Sequence, residues 1–165
     1  MVRARDMALG GAIAAVGDVI CQHFVEARAL DALDARRVGE MATVRALFMA
    51  PFLTFYFPWL ARTVPGTSWP RVLARVALDQ AVGAPLTIAG TFAASSALRG
   101  RPGDAPARIR QQLLPTWQTG ACFWPFVHLL NFRFLPPAAQ PLLAHCVSVP
   151  WNAVLSLRSN VALVA

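Results

Sequence analysis

The chain has 165 residues, of which 56% are hydrophobic and only 14% charged, with a formal net charge of +7 and a mean hydropathy of +0.49. Too little polar surface exists to cover a water-soluble fold of this size, so an integral membrane protein is the economical class. All fifteen basic residues are arginine, and no basic face interleaved with groove-reading elements accompanies them, so no nucleic-acid partner is expected.

The length suits one domain over residues 1–165. Five apolar stretches, residues 7–25, 41–61, 76–98, 113–132 and 134–157, are long, alanine-rich and not alternating. They predict an all-α integral membrane bundle of about four transmembrane helices, each needing about 20 apolar residues, with interfacial helices between them. The first stretch has a basic start that imitates a signal peptide, but it runs on into Asp18 and Gln22, four apart on the face continued by Gly11 and Ala14. An integral helix is expected there.

The second stretch qualifies as a span despite Arg45, and the third and fourth also have the length. The fifth opens with three prolines and is expected to begin as a loop. Neighbouring helices and hydroxyl side chains can satisfy the carbonyls that proline frees in a membrane, so Pro51, Pro58, Pro85, Pro125 and Pro150 read as kinks rather than ends. The connecting segments hold clusters of arginine (Arg28, Arg36 and Arg37; Arg62, Arg71 and Arg75; Arg99, Arg101, Arg108 and Arg110), expected at lipid headgroups. Their distribution favours neither orientation.

Polar residues recur at helical spacing within these stretches. Gln80, Thr87, Thr91 and Ser95 share one face, as do Trp124, His128 and Asn131, and as do His145, Ser148, Asn152 and Ser156. Arg75 lies four residues before Asp79, within side-chain reach, and is the expected neutralising partner of that acid. An acid at mid-bilayer costs about 2.5–3.5 kcal/mol, so these groups should face the bundle interior or water. Two interiors fit the spacing: polar glue between helices, or the lining of a hydrated path for small solutes.

Four motifs, "GDVICQ" (17–22), "DQAVGAP" (79–85), "FWPFVHLLNFRFLP" (123–136) and "WNAVLS" (151–156), stand in an order and at separations that closely resemble the 22-kilodalton peroxisomal membrane protein family, which has mitochondrial inner-membrane members. The likeness runs from about residue 10 to residue 160. It implies an all-helical, multi-pass protein of an organelle membrane, mitochondrial inner or peroxisomal, with a plastid membrane also open. It further implies that Gly17, Asp18, Gln22, Asp79, Gln80, Pro85, Trp124, Pro125, Asn131, Phe132, Pro136, Trp151, Asn152, Leu155 and Ser156 are family positions. Departures include Ala50 before Pro51, Phe55 before Tyr56, His128 in place of a glutamine and Gln140 in place of an arginine. The segment that usually precedes the first span is nearly absent, so the resemblance carries no organelle address.

Family members have been linked to pores for small metabolites. A channel or pore-like protein is therefore the leading reading, with Asp18, Gln22, Arg75, Asp79, Gln80, His128, Asn131, Asn152 and Ser156 as the intramembrane polar network and His128 as its group able to titrate near neutral pH. A non-conducting structural or assembly protein is the alternative. No enzyme is expected: "AVGDV" lacks the first glycine of the GxGD signature of membrane aspartyl proteases, "LDQ" lacks their tyrosine, and HExxH, GxSxG and phosphate-cradling glycine loops are missing. His23, His128 and His145 have no ligand spacing, so neither metal nor cofactor is expected. Cys21, Cys122 and Cys146 are odd in number, widely spaced and read as buried, inert thiols. The expected partners are membrane lipids and small solutes, with a homo-oligomer possible.

Overall fold

The computed structural model describes residues 4–161, with side chains through residue 152, and among these it is helical without strands. Helix α1 (Ala4–Ile20) continues through a widened π turn, Cys21–Val25. Next, α2 (Ala35–Val44), a π turn (Arg45–Met49) and α3 (Ala50–Thr63) form one rod. A second composite rod joins α4 (Trp69–Leu78), a π turn (Asp79–Gly83) and α5 (Ala84–Leu98). Helices α6 (Ala105–Ala121), α7 (Trp124–Phe134) and α8 (Gln140–Val161) complete the described chain.

Three of these units, Ala4–Val25, Ala35–Thr63 and Trp69–Leu98, are long and apolar enough to cross a membrane. The expected fourth span, 113–132, is instead divided at Cys122 and Phe123. Proline is the reason, and the chain meets it in two ways. Pro51 and Pro85 each follow a π turn whose closing bond runs over five residues, from the Ala50 N–H to the Arg45 carbonyl and from the Ala84 N–H to the Asp79 carbonyl. The extra residue gives the proline ring room against the carbonyl four positions earlier, and the rod continues. Before Pro125 no such widening occurs; the helix stops and restarts with that proline in the first turn of α7. Pro125 is therefore a helix start, whereas Pro58 and Pro150 lie inside helices as expected. The fifth stretch does begin as a loop, its helix starting at Gln140.

Small residues set the packing. The buried face of α1 carries Gly10, Gly11, Ala14 and Gly17 before it reaches Asp18, and it lies against α2 and α8. A Cβ on Gly17 would come within 2.8 Å of Asn152 Cβ, so a side chain there forces the helices apart, and one on Gly11 would be tight at 3.2 Å from the Ala42 carbonyl. Gly90 likewise receives the ring of Phe48, which occupies the place of a Cβ. α5 packs on α6 and α4 on α7. The apolar core of Leu53, Phe57, Leu60, Val72, Val76 and Phe132 gathers α3, α4 and α7.

Gly17→Val should force α1 off α8 and destabilise the bundle by about 1–3 kcal/mol. Thermal unfolding in detergent checks this against Gly39→Ala, inside α2 with nothing within 4 Å of its Cβ, which should stabilise by about 0.5–1 kcal/mol.

Candidate functional site

Two polar centres lie inside the bundle. At the end of α1, Asp18 is fully buried and receives Arg37 Nε at 2.9 Å and Gln22 Nε2 at 2.9 Å. Arg37 reaches on to Glu26 with both terminal nitrogens, at 3.0 and 2.7 Å. Gln22 Oε1 accepts from the Asp34 N–H at 2.6 Å, and the Asp34 side chain caps α2 by accepting from the Arg37 N–H at 3.0 Å. This is a clasp between the end of the first span and the start of the second. The hydrogen bonds from Arg37 hold the Glu26 carboxyl below its ordinary value of 4.5.

The second centre sits where the π turn of the α4–α5 rod faces α3 and α7. Asp79 Oδ2 lies 3.4 Å from His128 Nε2 and accepts from Gln80 Nε2 at 3.2 Å. The Tyr56 hydroxyl and Asp79 Oδ1 converge on the bare face of Gly83, where a Cβ would collide with both. His128 is held between the rings of Trp124 and Phe132, at centroid distances of 5.3 and 5.0 Å, with Phe57 edge-on. Beside this pair lies a half-enclosed cavity of about 60 Å³, lined by Arg45, Tyr56, Asp79, Thr87, Trp117, Trp124, His128 and Trp151 among others.

The expected Arg75–Asp79 pair is not formed. Arg75 is buried but turns back along its helix to donate to the carbonyls of Val64 at 2.7 Å and Gly66 at 2.9 Å. Helical side chains lean toward the N-terminus, which favours an acid four residues before a cation over the reverse order found here. Gly66, at φ +101°, shapes the loop that presents those carbonyls. The buried stripe of the third span passes through Asp79, Thr91 and Ser95 while Gln80 is only half-buried, because the π turn advances the register by one residue.

Other predicted positions distribute between packing and polar contact. Asn131 is buried and donates to the Gln140 carbonyl at 3.2 Å, tying α7 to the start of α8. Asn152 is buried against Gly17, with Ser148 Oγ at 3.5 Å from its Nδ2. Trp151 meets Trp124 edge to face at 5.9 Å and touches the Gly120 position. Pro85 opens α5, and Pro136 is exposed in the loop before α8. The side chains of Leu155 and Ser156 lie outside the described residues. Arg37, Arg75 and Arg108 are buried rather than turned to headgroups, and of the cysteines only Cys21 is buried, Cys122 and Cys146 being exposed.

The model of the Mpv17 / PMP22 family matches residues 96–156. Protein sym-1 of Neurospora crassa is 35% identical over 144 residues, covering 86% of this chain and 82% of that protein. The chain belongs to the Mpv17/PMP22 family. The mitochondrial inner membrane protein Mpv17 of Drosophila melanogaster is 33% identical over 156 residues, 90% of each chain, and its Bos taurus counterpart 32% over 156 residues, 91% of this chain and 86% of that one. No solved structure matches. This Mpv17/PMP22 member is a multi-pass, all-helical protein of an organelle membrane, as its membrane-capable helices and its relatives require.

Some site residues of this family member escaped the spacing analysis. Arg37 completes the Asp18 clasp from nineteen positions away, and nothing local marks it except the capping Asp34 three residues earlier. Tyr56 and Arg45 line the central cavity. The signal for Arg45 was present: it is the one charge inside an otherwise apolar span.

Removing one partner of a buried ion pair costs about 3–5 kcal/mol, so Asp18→Asn and Arg37→Met should each destabilise strongly while the double variant recovers most of the loss. A double-mutant cycle on thermal unfolding reads the coupling. Because the Glu26 pKa is depressed on folding, its contribution is complete above the ordinary carboxylate value and is lost as pH falls toward the lowered one. Melting temperature should fall over that acidic window, and less so in Glu26→Gln.

Proposed function

We propose that this protein is a channel or pore-like protein for small solutes in an organelle membrane, and that the membrane is the mitochondrial inner one. The compartment follows its relatives named mitochondrial inner membrane protein Mpv17. The central cavity carries the functional reading: an acid, a histidine, a tyrosine hydroxyl and an arginine line one space within a bundle whose surroundings are aromatic and aliphatic. Ionisable groups that line a cavity inside the bundle, with Arg45 Nε and His128 Nδ1 left without a partner among the described residues, suit a solute path better than a packing contact. At about 60 Å³ the cavity accommodates a few waters. Passage of a larger solute therefore requires the rods to part, and the π turns at Arg45–Met49 and Asp79–Gly83 supply joints on either side of it.

Asp18 belongs to a different part of this reading. Its partners satisfy it fully, which favours a structural role for the clasp and gives the non-conducting alternative its one specific support. No catalytic chemistry is assigned to either centre.

Purified protein in liposomes should pass small solutes with a size cut-off, measured by swelling on solutes of graded size. Asp79→Asn should change the flux or its ion selectivity at least severalfold while the fold, followed by circular dichroism, is kept. Well-folded wild-type protein that passes nothing would support the assembly role instead.

A further inference from the structure

We infer that Arg45 holds a small monovalent anion inside the central cavity, so that the solute path is built around a fixed positive charge. Arg45 is 5% exposed and turns into the bundle, its Cγ beside the bare face of Gly10 and its guanidinium beside Ser148. Its Nη2 donates to Ser148 Oγ at 2.8 Å, and its Nε has no hydrogen-bond partner among the described residues. A guanidinium stays charged at any physiological pH, and a buried charge without a counter-charge is strongly unfavourable.

No acidic side chain forms an ion pair with Arg45 among the described residues. Asp18 and Glu26 are engaged by Arg37, and Glu40 by Arg36 and Arg99. Asp34 caps α2, and Asp79 pairs with His128 and Gln80. Asp6 lies in the first turn of α1, Asp31 in the exposed turn before α2 and Asp104 in the exposed turn before α6. Residues 1–3 and 153–165 contain no acidic side chain.

The groups around Arg45 are those an anion needs. His145 is buried with neither ring nitrogen partnered, and it meets the same bare face of Gly10 as Arg45: a Cβ there would lie 3.3 Å from His145 Cε1 and 3.5 Å from Arg45 Cγ. A second small cavity touches Arg45 together with Thr91 and Asn152. Arg45 thus stands between two spaces, and the unpartnered N–H groups there are its own Nε and the ring of His145, since the Ser148 and Thr91 hydroxyls already donate to the carbonyls of His145 and Thr87. Asp79 lines the larger space and is the competing source of counter-charge, through water, but it already has His128 and Gln80.

The physiological meaning of this site rests on the solute-path reading, but its occupancy is measured without flux. The probe is iodide, titrated at constant ionic strength against full-length protein in phospholipid-free detergent. Trp59 and Trp69, both exposed, are replaced by Phe, so that the emission comes from Trp117, Trp124 and Trp151 on the cavity wall. Quenching should saturate and be displaced by chloride, whereas neutral acrylamide should quench without saturation. Arg45→Met should raise the half-saturation concentration by at least about tenfold, the equivalent of one charge-assisted hydrogen bond, and Arg45→Lys should retain most of the binding. Should Arg45→Met fail to fold, the wild-type protein decides: replacing chloride by bulky gluconate should lower its melting temperature.

Linear quenching in wild-type protein, or saturation unchanged in Arg45→Met, or equal melting temperatures in the two salts, would each overturn the inference. Saturation that appears only in Asp79→Asn would also overturn it, by identifying Asp79 as the counter-charge. Saturation abolished by added anionic phospholipid would assign the site to a lipid phosphate and overturn the free-anion reading. A silent liposome assay leaves the anion site standing and bears only on conduction.

Discussion

A carboxylate carried into a bundle of this hydropathy must meet a cation, and Asp18 meets Arg37. That contact sets much else. It requires the end of α1 to lie beside the start of α2, which the capping Asp34 and the reciprocal bonds of Gln22 with its backbone hold in register. The glycine face of α1 then brings α8 and α2 to backbone distance. Glycines alone would specify nearness without direction; the ion pair, buried and bidentate toward Glu26, gives the direction.

The two polar centres differ in how completely their atoms are partnered. Around Asp18 every strong group has an answering one within hydrogen-bond distance. Around the central cavity Arg45 Nε and His128 Nδ1 have no protein partner among the described residues, nor has either ring nitrogen of His145 beside Gly10. Buried polar groups left this way are costly in a packed interior and are tolerated where solvent or a ligand reaches them. The same membrane segments thus hold a lock at one end and an incompletely partnered, aromatic-walled space further in.

Much of this was legible from spacing. Asp18 and Gln22, four apart on a face of small residues, read as buried, and they are, as are His128, Asn131 and Asn152; the family was legible separately, in the four motifs. What spacing could not carry were partners distant in sequence and the local breaks in helical register. Arg37 sits in an arginine cluster that resembles a headgroup anchor, yet only its exposed neighbours Arg28 and Arg36 are placed as such an anchor would be. The Arg75–Asp79 pair was a local inference defeated by side-chain direction and by two loop carbonyls. Continuous hydrophobicity from 113 to 132 concealed the break before Pro125, since proline's effect depends on whether a π turn precedes it.

The π turns connect these observations. Each of the two that interrupt a rod begins at a charged residue on the cavity, Arg45 and Asp79, and each is followed by a proline at the sixth position after it, Pro51 and Pro85. Widening the turn relieves the proline ring and rotates the following helix by one residue. The charged side chain and the apolar face beyond it can then both point inward, which an unbroken α-helix of this sequence would not allow. Straightening either turn would restore the clash between proline and the preceding carbonyl and turn one of the two faces toward lipid. The placement of Arg45 and Asp79 on one cavity is therefore a consequence of backbone geometry imposed by proline. The two charges and the two π turns are products of the same local constraint.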